Sequence, residues 1–179
     1  YVPAGRFPLV STMVMTVTPA VAAGVKEIIL CTPPRKHPSG MDKPYADENI
    51  MAAAYICGVS KAFACGGSQA IAALAFGTES IPAVDVIVGP GNKFVAEAKK
   101  LVYGTVGIDM IAGPTEVFVI ADNSANPAWV AADLLAQAEH DVVAQPVLAV
   151  TDEGLAKKVS EEIEKQLESL PTKATAEQS

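Results

Sequence analysis

Two short runs join glycines to a carboxamide side chain, Gly66-Gly67-Ser68-Gln69 and Gly89-Pro90-Gly91-Asn92. Each follows an apolar, strand-like run and opens a helical one. Backbone N–H groups at such a helix start, with the helix dipole behind them, suit the phosphates or ribose of a dinucleotide. Neither run matches G-x-G-x-x-G, and the same glycines would equally serve tight strand-to-helix turns. Gln69 and Asn92 add amides that can bond a cofactor's polar edge, while Asn92 is also well placed to cap a helix. A second constellation is Gln137-Ala138-Glu139-His140, near the end of a helical pattern. Residues three apart share a helix face, so Gln137 and His140 can address one centre, and imidazole is the commonest metal-binding side chain. Zinc takes about four donors, the other histidine, His37, lies in a polar loop, and a histidine at a helix C-terminus also complements the dipole. Glu139 is expected to face solvent. Thr115, in Ala112-Gly113-Pro114-Thr115-Glu116, offers a hydroxyl that can meet a substrate or bond its own backbone.

These groups need elements to hold them. From Lys26 the chain alternates short β-branched runs with longer helical ones, the pattern of an α/β fold with a largely parallel sheet. Glu27–Cys31, Lys61–Cys65, Val84–Val88, Val117–Ile120 and Pro146–Val150 read as strands. The first of them is apolar enough to be buried on both faces. Helices are expected from Asp47 to Ile56, Gln69 to Phe76, Phe94 to Val102, Asn126 to about His140, and Glu153 to Leu170. Asp47, Asn92 and Asn126 stand at N-cap positions, the last followed by proline. In the final helix Leu155, Val159, Ile163 and Leu167 recur at four-residue steps. A boundary is expected near Thr115, and Pro171–Ser179 reads as a loop or frayed end.

Composition limits the class of function. The chain has 179 residues, half of them apolar, and 13 basic against 20 acidic residues give a net charge of −7. That sign opposes binding to a nucleic-acid backbone. Phe7–Val25 carries no charge, but its serine, threonines and Pro19, which should interrupt any helix, argue against a membrane span. Cys31, Cys57 and Cys65 show no C-x-x-C spacing, so they read as small core residues in a reducing cytoplasm. The first residue is Tyr1, which suggests a piece of something longer.

Taken together and in order, Tyr1-Val2-Pro3-Ala4-Gly5-Arg6, Gly66 through Ala75, Gly77-Thr78-Glu79, Val88 through Asn92, Gly107-Ile108-Asp109, Ala112 through Glu116 and Gln137 through His140 closely resemble the histidinol dehydrogenase family. The resemblance extends from Tyr1 into the last amphipathic helix. It implies two intertwined Rossmann-like α/β domains, Tyr1–Thr115 with the cofactor residues and Glu116–Ser179 as a partial second domain. It also implies a zinc-containing, NAD-dependent homodimer of histidine biosynthesis, which oxidises L-histidinol through the aldehyde to L-histidine.

By position, Tyr1, Gln69 and Asn92 match the family's NAD-binding residues, and Thr115 falls where a substrate-contacting serine is usual. Gln137 and His140 match two zinc ligands that also touch substrate. The family's other two ligands, an aspartate and a histidine, are expected farther along a longer chain. Its consecutive Glu-His acid-base pair has no counterpart here, since the one Glu-His, Glu139-His140, belongs to the metal motif. No catalytic acid or base is therefore assigned, and these residues alone should turn over little. Ala4 replaces a usual glycine, Thr115 replaces the serine, and the Arg35–Tyr45 loop is long. Threonine at that position resembles relatives that oxidise other small alcohols such as dihydroxypropanesulfonate. A non-catalytic module that binds nucleotide or assembles with a partner is the reading from another class.

Overall fold

A computed structural model of the chain describes residues 1–4, 8–36, 45–112 and 115–179. His37 and most of the Arg35–Tyr45 loop lie outside the described residues. Two compact units, Tyr1–Gly113 and Pro114–Ser179, account for the chain.

The first unit contains α1 (Val10–Ala22), β1 (Ile29–Thr32), α2 (Glu48–Ile56), β2 (Lys61–Ala64), α3 (Gly67–Phe76), β3 (Val86–Ile87), α4 (Lys93–Val102) and β4 (Gly107–Ile108). β1 pairs in parallel with β2, Ile29 opposite Lys61, and β3 pairs in parallel with β4, Val86 opposite Gly107. Side chains alternate across a strand, and β1 uses both faces. Cys31 packs with Tyr1, Ile71, Leu74 and Val95, whereas Leu30 packs with Val2, Met13, Val17, Ile50 and Ala54. The extended start of the chain follows the same rule. Val2 N–H donates to Cys31 O at 3.0 Å, so Tyr1 enters one core layer and Val2 with Ala4 the other. Ala4 is thus absorbed as a small buried core residue.

The second unit contains β5 (Glu116–Ala121), α5 (Pro127–Ala138), β6 (Gln145–Val150), α6 (Glu153–Leu167) and α7 (Lys173–Ala176). β5 and β6 pair in parallel from Glu116 opposite Gln145 to Ala121 opposite Val150. Val119, Ala121, Leu148 and Val150 pack on α5 and α6 through Val130, Ala131, Leu134, Leu155, Val159 and Ile163. The expected four-residue stripe of α6 is the face that does this.

Mixed α/β layering with parallel pairs agrees with the Rossmann-like reading, and most elements fall where the pattern places them. Three details differ. Pro19 does not interrupt α1, which runs through it to Ala22; the residue is exposed and sits in the last turn, so the one N–H it removes from the ladder leaves the preceding turns intact. Gly107–Ile108 forms a strand that its length and glycine concealed. The tail is not frayed: α7 buries Ala176 against Leu135 and Ala138 of α5. Among the described residues no helix is long and apolar enough to cross a membrane.

Asp47 caps α2 by accepting from Asn49 N–H at 3.0 Å and Ile50 N–H at 3.4 Å, and its other oxygen accepts from the Arg35 guanidinium at 3.3 Å. Replacing a cap of this kind by alanine costs about 1–2 kcal/mol. Asp47→Ala should shift the urea midpoint accordingly, and an unchanged midpoint would show the cap to be idle.

Candidate functional site

In the first unit the two glycine turns lie just past the carboxyl ends of the parallel strands, where α/β proteins bind ligands. The Gly66 backbone lies so close to Pro33 that a Cβ there would come within 2.7 Å of it. This brings the start of α3 against the end of β1. Gly67 N–H donates to the Tyr1 hydroxyl at 3.1 Å. Burial pushes the Tyr1 phenol above its ordinary pKa, with the Gly67 N–H opposing. The group therefore stays a hydroxyl, with its own proton available to a ligand. Gln69 is exposed in the first turn of α3, where its Oε1 accepts from Ser68 Oγ at 3.4 Å.

The second turn is held differently. Asn92 caps α4 by accepting from Phe94 N–H at 3.1 Å and Val95 N–H at 3.2 Å through Oδ1. Capping uses only the oxygen, so the amide's donor end remains for a ligand. Gly89 packs on Tyr1, and the Tyr1 backbone nitrogen donates to Val88 O at 2.7 Å. Tyr1 thus connects the two turns. Gly89 N–H donates to Asp109 Oδ2 at 2.7 Å, and Gly89 O accepts from Lys99 Nζ at 2.9 Å. Lys99 also pairs with Asp109 Oδ1, which accepts from Met110 N–H at 2.7 Å as well.

Lys99 and Asp109 are the residues that sequence reasoning missed. Lys99 is only 1% exposed and occupies the face of α4 shared by Val95 and Val102, so the signal was a lysine where the helical period calls for an apolar residue.

Desolvation is the largest single influence on Asp109 and opposes its charge, but Lys99 and the N–H groups of Gly89 and Met110 together outweigh it and hold the carboxyl below its ordinary value. Its stabilising contribution is therefore complete above the unfolded value of about 3.9 and is lost as pH falls through the lower folded one. Asp109→Asn should remove that acid-limb dependence from the urea midpoint measured against pH. An acid limb as steep as the parent's would refute the assignment.

The second unit carries the other candidates. Gln137 is buried near the end of α5, and its Nε2 donates to Thr115 O at 2.9 Å. An amide tied through its nitrogen presents its oxygen, the atom that ligates metals. Gln145 N–H reaches the same Thr115 carbonyl at 3.5 Å. Thr115 itself is exposed at the entrance to β5. α5 ends at Ala138, two residues short of the expected limit, and His140 follows in a turn closed by its own N–H to Gln137 O at 3.2 Å. The imidazole is exposed. Glu139 is not solvated as expected: it is half-buried and accepts from the Thr172 hydroxyl, because the tail folds back as α7.

Among the described residues no group of three or more His, Cys, Asp or Glu side chains gathers around a possible metal position. Of the cysteines, Cys31 is fully buried and Cys57 and Cys65 half so. Burial pushes the Cys31 thiol up to about 11, which makes it a packing residue rather than a nucleophile.

Parallel strand pairs feeding glycine turns and capped helices define a Rossmann-like α/β protein. The histidinol dehydrogenase family model matches residues 1–179. Histidinol dehydrogenase of Aquifex aeolicus is 56% identical over 179 residues, covering 100% of this chain and 39% of that protein. The Thermus thermophilus enzyme of the same name is 52% identical over 178 residues, covering 99% of this chain and 41% of its own length. A crystal structure of histidinol dehydrogenase from Elizabethkingia anophelis superposes with a TM-score of 0.93 at 45% identity, over 99% of this chain and 40% of that one. The chain belongs to the histidinol dehydrogenase family, a family of oxidoreductases, and spans about two fifths of the length of these relatives.

Proposed function

We propose that the chain supplies the cofactor-holding residues and two metal ligands of an NAD-dependent, zinc-containing oxidation of L-histidinol through the aldehyde to L-histidine. The observation that carries this reading is the match of the family model along all 179 residues. The enzyme would work as a cytoplasmic homodimer, a setting that suits three free thiols.

The donor set fits zinc. Gln137 offers Oε1 because Nε2 is committed to Thr115 O, and His140 offers an exposed imidazole in the adjoining turn. With the resemblance's downstream aspartate and histidine the ligands would number about four. Zinc held there would bind and orient the alcohol. The chemistry of bound NAD is acceptance of hydride from the alcohol carbon, once for each oxidation step.

The chain's own residues orient these groups. Tyr1 hydroxyl, Gln69 and the Asn92 amide would hold the dinucleotide at the starts of α3 and α4, whose N–H groups and dipoles favour phosphate. Thr115 would contact the alcohol, and its carbonyl fixes the Gln137 amide plane. Proton removal from the alcohol falls to the Glu-His pair that the resemblance places outside these residues.

The test compares the 179 residues with a longer protein that carries the Glu-His pair and the two further ligands. The short chain should bind zinc weakly and form no NADH with histidinol, while the longer one does both. Tight, stoichiometric zinc in the short chain would contradict the ligand count. An inactive longer protein would favour the binding-module reading. Threonine at position 115 favours a second reading, oxidation of another small polar alcohol. Assaying histidinol against dihydroxypropanesulfonate decides between them.

A further inference from the structure

We propose that Lys99 and Asp109 are positioning residues for the nucleotide cofactor: their ion pair grips both backbone polar groups of Gly89 and so sets the turn from which Asn92 meets the ligand. The inference rests on the reading of Tyr1 and Asn92 as cofactor residues.

The geometry is two-sided. Gly89 N–H enters the Asp109 carboxylate while Gly89 O receives the Lys99 ammonium, and the ammonium and carboxylate pair with each other. The segment after β3 leaves the sheet immediately, so among the described residues no ladder partner fixes these groups. Asp109 stands at the matching point after β4, held by its own N–H to Ile87 O at 3.3 Å. Lys99, two helical turns beyond Asn92, reaches back from α4. Strand end, turn and helix are thereby tied at one residue, with Tyr1 wedged on the same backbone.

Stability alone is a weak reason for such a device. The Lys99 side chain is only 1% exposed while that of Asp109 keeps 32% of its surface in solvent, so the pair must overcome the desolvation of the ammonium, and an apolar residue at position 99 would extend the Val95–Val102 stripe at lower cost. What the pair adds is direction. A glycine with φ of +115° has few constraints of its own, and a loop that presents N–H groups to a ligand must be held to within about half an ångström to be useful.

The experiment uses the full-length protein containing this segment, with NAD+ as the probe. Lys99→Met and the double variant Lys99→Met with Asp109→Asn are compared with Asn92→Asp, which keeps the cap oxygen and removes the amide donor. Calorimetric Kd for NAD+, the KM for NAD+ against kcat, and Tm are measured for each. The expected result is a Kd and KM for NAD+ raised about tenfold or more in the double variant, with kcat within about twofold and Tm within a few degrees of the parent. Where Lys99→Met fails to fold, Lys99→Arg and Asp109→Glu keep both charges but displace them, and should weaken NAD+ binding in the same way. Folded variants with parental NAD+ affinity, beside a weakened Asn92→Asp, would overturn the positioning role alone. Parental affinity in Asn92→Asp and in Gln69→Ala would remove the cofactor reading itself, and the proposal with it.

Discussion

Replacing Gly89 by alanine should unfold the first unit or leave it barely stable. A Cβ built there meets the Tyr1 carbonyl oxygen at 2.0 Å and its carbon at 3.1 Å. The obstacle is backbone, held in place by Val2 N–H on Cys31 O and by the Tyr1 nitrogen on Val88 O, so no rotamer change relieves it. The φ of +115° adds strain that an L residue seldom tolerates. Gly104 is the control, because its φ is +97° but nothing lies within 4 Å of a Cβ. Gly104→Ala should show the backbone term by itself, about 1–2 kcal/mol. Gly89→Ala should exceed it by several kcal/mol, in the range of the most damaging single substitutions, more than about 4 kcal/mol. Urea denaturation of both variants beside the parent measures the difference. Equal losses would mean that Tyr1 yields, and the close packing of the two turns would then be incidental.

What the sequence disclosed and what it hid divides along a physical line. Asp47, Asn92 and Asn126 all cap helices as their types and positions demand, since a cap is a local interaction settled within a few residues. The α6 stripe and the two-faced burial of β1 were equally legible, because periodicity reports burial directly. β4 was missed because two residues, one of them glycine, carry no period, and its existence depends on β3 across the pair. The tail was misread because α7 is stabilised by packing on α5 rather than by its own propensity. The same division runs through the candidate site. Gln137 and His140 could be named from spacing, but the bond that commits the Gln137 amide nitrogen comes from Thr115, 22 residues earlier. Lys99 and Asp109 form a pair only in three dimensions: Asp109 stood in the Gly107-Ile108-Asp109 run of the resemblance with no partner assigned, and one lysine in an apolar stripe was the trace of that partner.

Gln137 and His140 should fail in different ways when truncated, and that difference tests the metal reading. His140 is exposed and its side chain belongs to no core cluster, so His140→Ala should leave the denaturation midpoint of the metal-free protein unchanged. If the imidazole is one of about four zinc donors, its loss should cost about a quarter of a binding free energy of about 10–16 kcal/mol, a drop in zinc affinity of roughly 10²–10³-fold. Gln137 is buried in α5 and bonded to Thr115 O, so Gln137→Ala should weaken zinc comparably and also destabilise the second unit, by about 1–3 kcal/mol for the lost bond and packing. Competition with a chromophoric chelator on the full-length protein reads the first quantity, and urea denaturation without metal reads the second. Undiminished zinc affinity in His140→Ala would remove the metal role from this turn, whatever Gln137→Ala did. Zinc lost in both variants, with stability lost only in Gln137→Ala, is the pattern required of one ligand anchored by the fold and one presented at its surface.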